Sequence, residues 1–395
     1  MPARFLCTAD VHIGRESSGF DDQTALGAWE RIVALALETG VDAVLIAGDF
    51  FENPASQFAT REAVSRTLKS LIQNEIRVVA VSGNHDYAAL PTFCKAYPDL
   101  IEFLSSDHWD QATVKGVRIL GRSFGRSEER DLVGSLSLPP SDQPTIGLMH
   151  ADVDSVDLRY NAVPLAKLRV PGVAAWVLGH SHVPKVWDNP AAVYPGSPQP
   201  LDFGERGVHG VRILELDGNE VTFSELKPVS SVRYEFERDI VVGDDETVDI
   251  AVERRLGHIR SGQEKICLRA FIRYRGDLPD IGEGLVSLGE DRYEVVGADR
   301  YVELDLHKEA EQGDARGQAA RLLLGLSGFG EVSWRTRAQR AVEDLRQRMV
   351  LERKKLVTDG SEEFNVIREA LPDEAVIALR RSLNRILSSK SGDVQ

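Results

Sequence analysis

VDAVLIAGDFFENP (41–54) decides how the rest of the chain is read. Its apolar run, with β-branched residues and no polar alternation, is the pattern of a strand buried on both faces. The run ends at Gly48-Asp49, where a strand would give way to a loop. Before it, residues 22–39 carry Leu26, Trp29, Ile32, Val33, Leu35, Ala36 and Leu37 at helical spacing, and Gly40 suits the position just past a helix end. After it, Val64, Leu68, Leu71 and Ile72 predict a second helix over 60–74. Similar apolar runs occur at 4–7, 76–82, 145–149 and 174–178. Strands alternating with helices predict an α/β layered fold over the first 230 residues. From 191 the pattern turns to strands and turns, with a hairpin expected at 210–226 around Asp217-Gly218.

Each of the five runs is followed by residues of metal-ligand type. They are Asp10 and His12, then Asp49, then Asn84-His85-Asp86, then His150, then His180 and His182. The carboxyl ends of strands in α/β sheets face a common crevice, so the fold would gather these residues. A histidine at one strand end is ordinarily a surface or core residue; ligand-type residues at five successive strand ends are not explained that way. Asp10, His12, Asp49, Asn84, His150, His180 and His182 form a set of oxygen and imidazole donors without thiolates. Such donors suit Mn²⁺, Fe²⁺ or Zn²⁺. Seven are too many for one tetrahedral ion and fit two, with one carboxylate shared. Paired ions ~3.5–4 Å apart can clamp both the attacking and the leaving oxygen of a phosphate displacement. His85 is expected outside the ligand set, because Asn84 beside it already points inward. Held by Asp86, it could protonate a leaving oxygen. His108, His209, His258 and His307 stand in no such context.

The series DVHIG (10–14), GDFFE (48–52), GNHD (83–86), LMHAD (148–152) and GHSH (179–182) resembles the calcineurin-like metallophosphoesterases. A finer resemblance is to the SbcD-type DNA repair exonucleases. It is carried by AGDFFENP with RVVAVSGNHD, by Tyr160 with PLAKL and VAAWVLGHSHVPK, and by YPGSPQPLDFGERG at 194–207. The resemblance implies a β-sandwich flanked by helices over 1–230, an α+β capping domain over 231–308, and a helical tail over 309–395 that binds a partner ATPase. It implies one ion held by Asp10, His12, Asp49 and His182, and another by Asp49, Asn84, His150 and His180, with His85 catalytic and Asp86 supporting it. It further implies Mn²⁺ as the metal, with Fe²⁺, Zn²⁺ or Mg²⁺ as alternatives. The implied activity is 3′→5′ exonuclease and single-strand endonuclease action on DNA, as a homodimer with an SbcC-type coiled-coil ATPase. Val11 stands where that family has Trp, and Arg206 where it has Lys. Within YPGSPQPLDFGERG, Tyr194, Ser197 and Arg206 are candidate DNA contacts.

Composition bounds these readings. The 395 residues carry 47 Lys+Arg against 62 Asp+Glu, a net charge of −15, which argues against holding nucleic acid by bulk charge alone. Two ions and a partner would offset that charge locally. Cys7, Cys94 and Cys267 form no CxxC pair, so neither a disulfide framework nor a thiolate zinc site is expected. No run approaches the ~18 apolar residues of a membrane span, and the start of the chain lacks a signal-peptide core. A cytoplasmic location is expected. In the 231–308 unit, strands at 232–241, 265–275 and 293–306 and a helix at 246–260 are expected. The stretch 332–390 carries 13 Lys+Arg against 9 Asp+Glu, a charge of +4, with apolar stripes at 334–357 and 374–388. Two other functions remain open on sequence alone: a small-molecule (cyclic nucleotide) phosphodiesterase, and a non-catalytic scaffold that holds DNA ends.

Overall fold

Alternate residues of each central strand face two different apolar layers. Phe5, Cys7, Leu45, Val79 and Val81 point one way, while Leu6, Val44, Ile46, Val78 and Ala80 point the other. Both sets are apolar, so these strands are covered on both sides. The computed structural model describes residues 2–136, 143–260, 262–274 and 277–300. The tail expected over 309–395 lies outside the described residues, as does the end of the strand expected at 293–306.

Two six-stranded sheets stack face to face. The first runs in the order Glu220–Pro228, Gly210–Asp217, Ala3–Thr8, Ala43–Ala47, Arg77–Val81, Glu102–Phe103. Its last four strands are mutually parallel, and the hairpin Gly210–Asp217/Glu220–Pro228 joins antiparallel. The second sheet runs Lys185–Asp188, Ala191–Tyr194, Ala175–Gly179, Thr145–His150, Val117–Arg122, Asp110–Val114. Its four inner strands are parallel and its edges antiparallel. Ile119, Ile146, Leu148 and Val177 of the second sheet meet Phe5, Leu45 and Val79 of the first.

The outer face of the first sheet is covered by the helices Ala25–Thr39, Pro54–Gln73 and Ala89–Ala96. Trp29, Ile32, Leu68, Leu71 and Phe93 pack there. The first helix is capped by Thr24, whose hydroxyl accepts from Gly27 N, and ends at Gly40 in the left-handed region (φ 59°). The second begins at Pro54 behind the Asn53 cap, six residues before the expected start. Residues 22–24, expected as helix, end the strand Phe20–Thr24 instead, because Phe20 is buried against Val232, Tyr234 and Cys267.

From Val232 onward the chain forms a third, four-stranded sheet. Its order is Val232–Val242, Lys265–Tyr274, Asp291–Arg300, Leu285–Leu288, and the helix Val248–Ile259 links the first two strands, which are parallel. It has its own core of Ile240, Val252, Leu256, Ile266, Leu268 and Ile272. Among the described residues, no helix is long and apolar enough to cross a membrane.

Candidate metal centre

The five strands singled out by sequence do not share one sheet. Ala3–Thr8, Ala43–Ala47 and Arg77–Val81 lie in the first, and Thr145–His150 and Ala175–Gly179 in the second. Their carboxyl ends nevertheless meet, because the two sheets are stacked with these strands facing each other across the shared core. The loops leaving the first two strands are zipped together by backbone bonds from Asp10 N to Gly48 O (3.1 Å) and His12 N to Asp49 O (3.0 Å). Asp10, His12, Asp49 and His180 all take positive φ. Each such non-glycine position costs roughly 1–3 kcal/mol, and such strain collects where side chains must be aimed.

Close approach sets the glycine at 179. A Cβ on Gly179 would lie 2.0 Å from Ala47 O and 2.6 Å from His150 Nδ1. Without a side chain there, His150 Nδ1 reaches Ala47 O across the two sheets at 3.0 Å.

Three imidazoles are fixed in the same manner. His12 Nδ1 pairs with Glu52 (2.8 Å), His150 Nδ1 with the Ala47 carbonyl (3.0 Å) and His182 Nδ1 with Glu205 (2.7 Å). With acceptors there, Nδ1–H donates in each ring and Nε2 is the atom turned to the cluster. Those Nε2 atoms converge. His12 Nε2 and His182 Nε2 stand 3.1 Å apart, and Asp10 lies 3.9 Å from His182 Nε2. His150 Nε2 faces Asn84 Oδ1 at 3.0 Å and Asp49 at 3.3 Å. Electron-rich atoms facing one another inside a protein need a cation or a proton between them. Imidazoles anchored through Nδ1 by carboxylates and carbonyls are the usual arrangement of metal ligands. The donor set therefore fits divalent ions. Asp10, His12 and His182 form one group of donors, and Asp10, Asp49 and His150 another.

Asp49 is central. One oxygen accepts from His85 N (2.8 Å) and the other lies 3.3 Å from His150 Nε2. Burial raises its carboxyl, but the charges of His150 and His12 outweigh burial and hold it well below the usual carboxylate range. Asp10, whose oxygens both accept from His180 N at 3.0 Å, is raised by burial. Burial disfavours a charge on His150 and on His182, yet Asp49 for the first and Glu205 for the second push each up to about 9. His180 is instead lowered to about 3 by burial and by the charge of His150. Tyr160 stacks on the His180 ring at 5.1 Å, and the Arg159 guanidinium lies over the Tyr160 ring.

His85 sits at the rim, its side chain 39% exposed, with its ring edge-on to His12 at 4.8 Å. The expectation that Asp86 holds it is corrected. Asp86 is fully buried and accepts from Gly83 N (2.8 Å), Phe50 N (2.8 Å) and Phe51 N (3.4 Å), so it ties two loops together. Burial, then the charge of Asp49, raises its carboxyl to about 7. The carboxylate beside His85 is Glu52, at 3.6 Å. Glu52 and Glu205 were not singled out by sequence. Both lie inside motifs already quoted, GDFFE and FGERG, but nothing in spacing assigns an acid to a particular imidazole.

Tyr194 and Ser197, expected as DNA contacts, are corrected too. The Tyr194 hydroxyl donates to Ala151 O (2.6 Å) and accepts from Val153 N (2.8 Å), and its residue is buried. Ser197 is fully buried and donates to Glu205 (2.7 Å). The remaining member, Arg206, is exposed.

Residues 3–184 match the family model of the calcineurin-like phosphoesterases. The chain thus carries the catalytic domain of a metal-dependent hydrolase of phosphate-ester bonds. It is similar to the DNA double-strand break repair protein Mre11 of Methanopyrus kandleri, at 24% identity over 343 residues, 79% of this chain and 72% of that protein. The Mre11 of Aeropyrum pernix is 26% identical over 356 residues, 83% of this chain and 85% of that protein. The Archaeoglobus fulgidus Mre11 is 27% identical over 227 residues, and the match spans about half of each chain, 51% of both.

Proposed function

We propose that this chain is a Mn²⁺-dependent DNA repair nuclease, an SbcD-like exonuclease and single-strand endonuclease. The observation that carries the reading is the convergence of three Nδ1-anchored imidazoles with Asp10 and Asp49 at the meeting ends of two sheets. The Mre11 names of the relatives support DNA as the substrate. When bound, the two ions would supply charge neutralisation for a phosphodiester and help generate a nucleophile from water.

The chain's own residues then have distinct tasks. Asp10, His12, Asp49 and His182 would hold one ion, and Asp49, Asn84, His150 and His180 the other. Asp49 serves both, its geometry fixed by His85 N. His85, exposed at the rim beside Glu52, would give a proton to the leaving oxygen. Asp86 would hold the 83–86 loop under it. The 231–308 unit would cap the DNA, the 309–395 tail would bind an SbcC-type coiled-coil ATPase, and the active form would be a homodimer in the cytoplasm.

The test is purified full-length protein with Mn²⁺ on end-labelled duplex and circular single-stranded DNA. The reading predicts ladder-like shortening from 3′ ends and nicking of the circle, both abolished by EDTA. Turnover of a cyclic nucleotide with DNA left intact would favour the small-molecule phosphodiesterase. DNA-end binding without hydrolysis of either substrate would favour the scaffold.

A further inference from the structure

The two ends of the donor cluster are not backed alike. Behind His182 stands Glu205, which is 9% exposed and has both oxygens engaged. Its Oε1 takes the proton of His182 Nδ1 at 2.7 Å, and its Oε2 accepts from Ser197 Oγ at 2.7 Å and from Leu201 N at 3.3 Å. The serine is held in turn. Ser197 N donates to His182 O (2.9 Å), and buried His209 donates from Nδ1 to Ser197 O (2.9 Å). The carboxylate therefore cannot rotate away without breaking a connected buried network. Behind His12 stands a second acid, Glu52, at 2.8 Å.

Among the described residues, the other end has no such backing. His150 Nδ1 rests on the neutral carbonyl of Ala47. His180 Nε2 is 3.6 Å from Asp152, beyond hydrogen-bond reach, and its ring face is covered by Tyr160. A carboxylate behind an imidazole makes the ring a stronger donor and adds negative charge near the cation; a carbonyl does less of both.

We propose that Glu205 is the positioning residue of His182 and that, together with Glu52 behind His12, it makes the Asp10–His12–His182 end of the site the one that takes up a divalent ion first. This rests on the reading of the cluster as a metal site. It also gives the 194–207 segment a task other than touching DNA: it presents the acid that aims and charges a ligand.

The experiment is calorimetric titration of the full-length, EDTA-stripped protein with Mn²⁺, beside thermal melts in EDTA. The wild type should fill two classes of site of different affinity. Glu205→Gln keeps the size and an acceptor oxygen but removes the charge. It should weaken the tighter class ~10–100-fold, the usual effect of losing such a partner, and leave the weaker class unchanged. Glu52→Gln should weaken that same class, giving a second route should the first variant fold poorly. In EDTA the Glu205→Gln melt should fall modestly, because Glu205 also holds the His182 proton in the stripped protein, and the loss of Mn²⁺ affinity should exceed that fall. Two equal classes in the wild type, an effect confined to the weaker class, an unchanged isotherm in both variants, or losses that track a lowered EDTA melt would each overturn the assignment. A wild type that binds no Mn²⁺ would instead overturn the metal reading beneath it.

Discussion

His85 and His12 meet edge to face, share one glutamate and are set apart by what their nitrogens can do. His12 spends Nδ1 on Glu52 at 2.8 Å and aims Nε2 into the cluster, whereas His85 stands 3.6 Å from the same carboxylate with its side chain 39% exposed. On the proposed reading the first is a ligand and the second a group that meets substrate. Replacing His85 by Ala should leave Mn²⁺ binding by calorimetry within a few-fold of wild type. DNA hydrolysis should drop ~10²–10⁴-fold, the loss expected when a proton donor is removed. Metal affinity that falls in step with activity would make His85 a ligand. The sequence could separate these two histidines only by the neighbour argument from Asn84. It could not pair either with Glu52, because that pairing is made across the 40 positions between residues 12 and 52 by the zipped loops.

At the scale of elements, the site depends on how closely two sheets approach at their carboxyl ends. Gly179 is the tightest point, with Ala47 O and His150 Nδ1 where a Cβ would go. Gly179→Ala should force the strand ends apart, cost more than ~2 kcal/mol in a denaturant melt, and reduce Mn²⁺ binding by freeing His150 from Ala47. A variant with wild-type melt and metal content would show that the contact is not needed. The five buried strands were legible because their apolar runs are uninterrupted. The rest of the second sheet was not. Val117–Arg122 hides a buried Arg118 whose Nε donates to Thr145 Oγ1, and the edge strand Lys185–Asp188 is short and largely exposed. The helix Ala89–Ala96 carries Pro91 in its first turn, a residue that reads as a breaker unless the helix start is already known. That the five strands divide between two sheets was likewise not readable, since each run signals burial and none signals its partner.

For the whole molecule, the cluster makes folding depend on protons or on metal. In the metal-stripped protein, His150 and His182 hold protons up to about 9, whereas the unfolded chain releases them near 6.5. Between those values the folded state binds more protons than the unfolded state, so stability falls as pH rises. Asp86, raised to about 7, works in the same direction in a lower window. His180, lowered to about 3, has the opposite sign but acts only below 6.5. Melts in EDTA should therefore decline from pH 6.5 to pH 9. Mn²⁺ should restore more stability at the upper end, because the donors must shed protons to bind it. A melt that rises over this window would contradict the placement of these imidazoles.

The central claim is that one carboxylate, Asp49, joins two ions into a single hydrolytic site, and counting ions tests it most directly. Wild type and Asp49→Ala would be loaded with Mn²⁺, desalted and measured by elemental mass spectrometry. Two ions per wild-type chain and close to none in the variant are predicted. A single ion in the wild type, or two retained in Asp49→Ala, would contradict it.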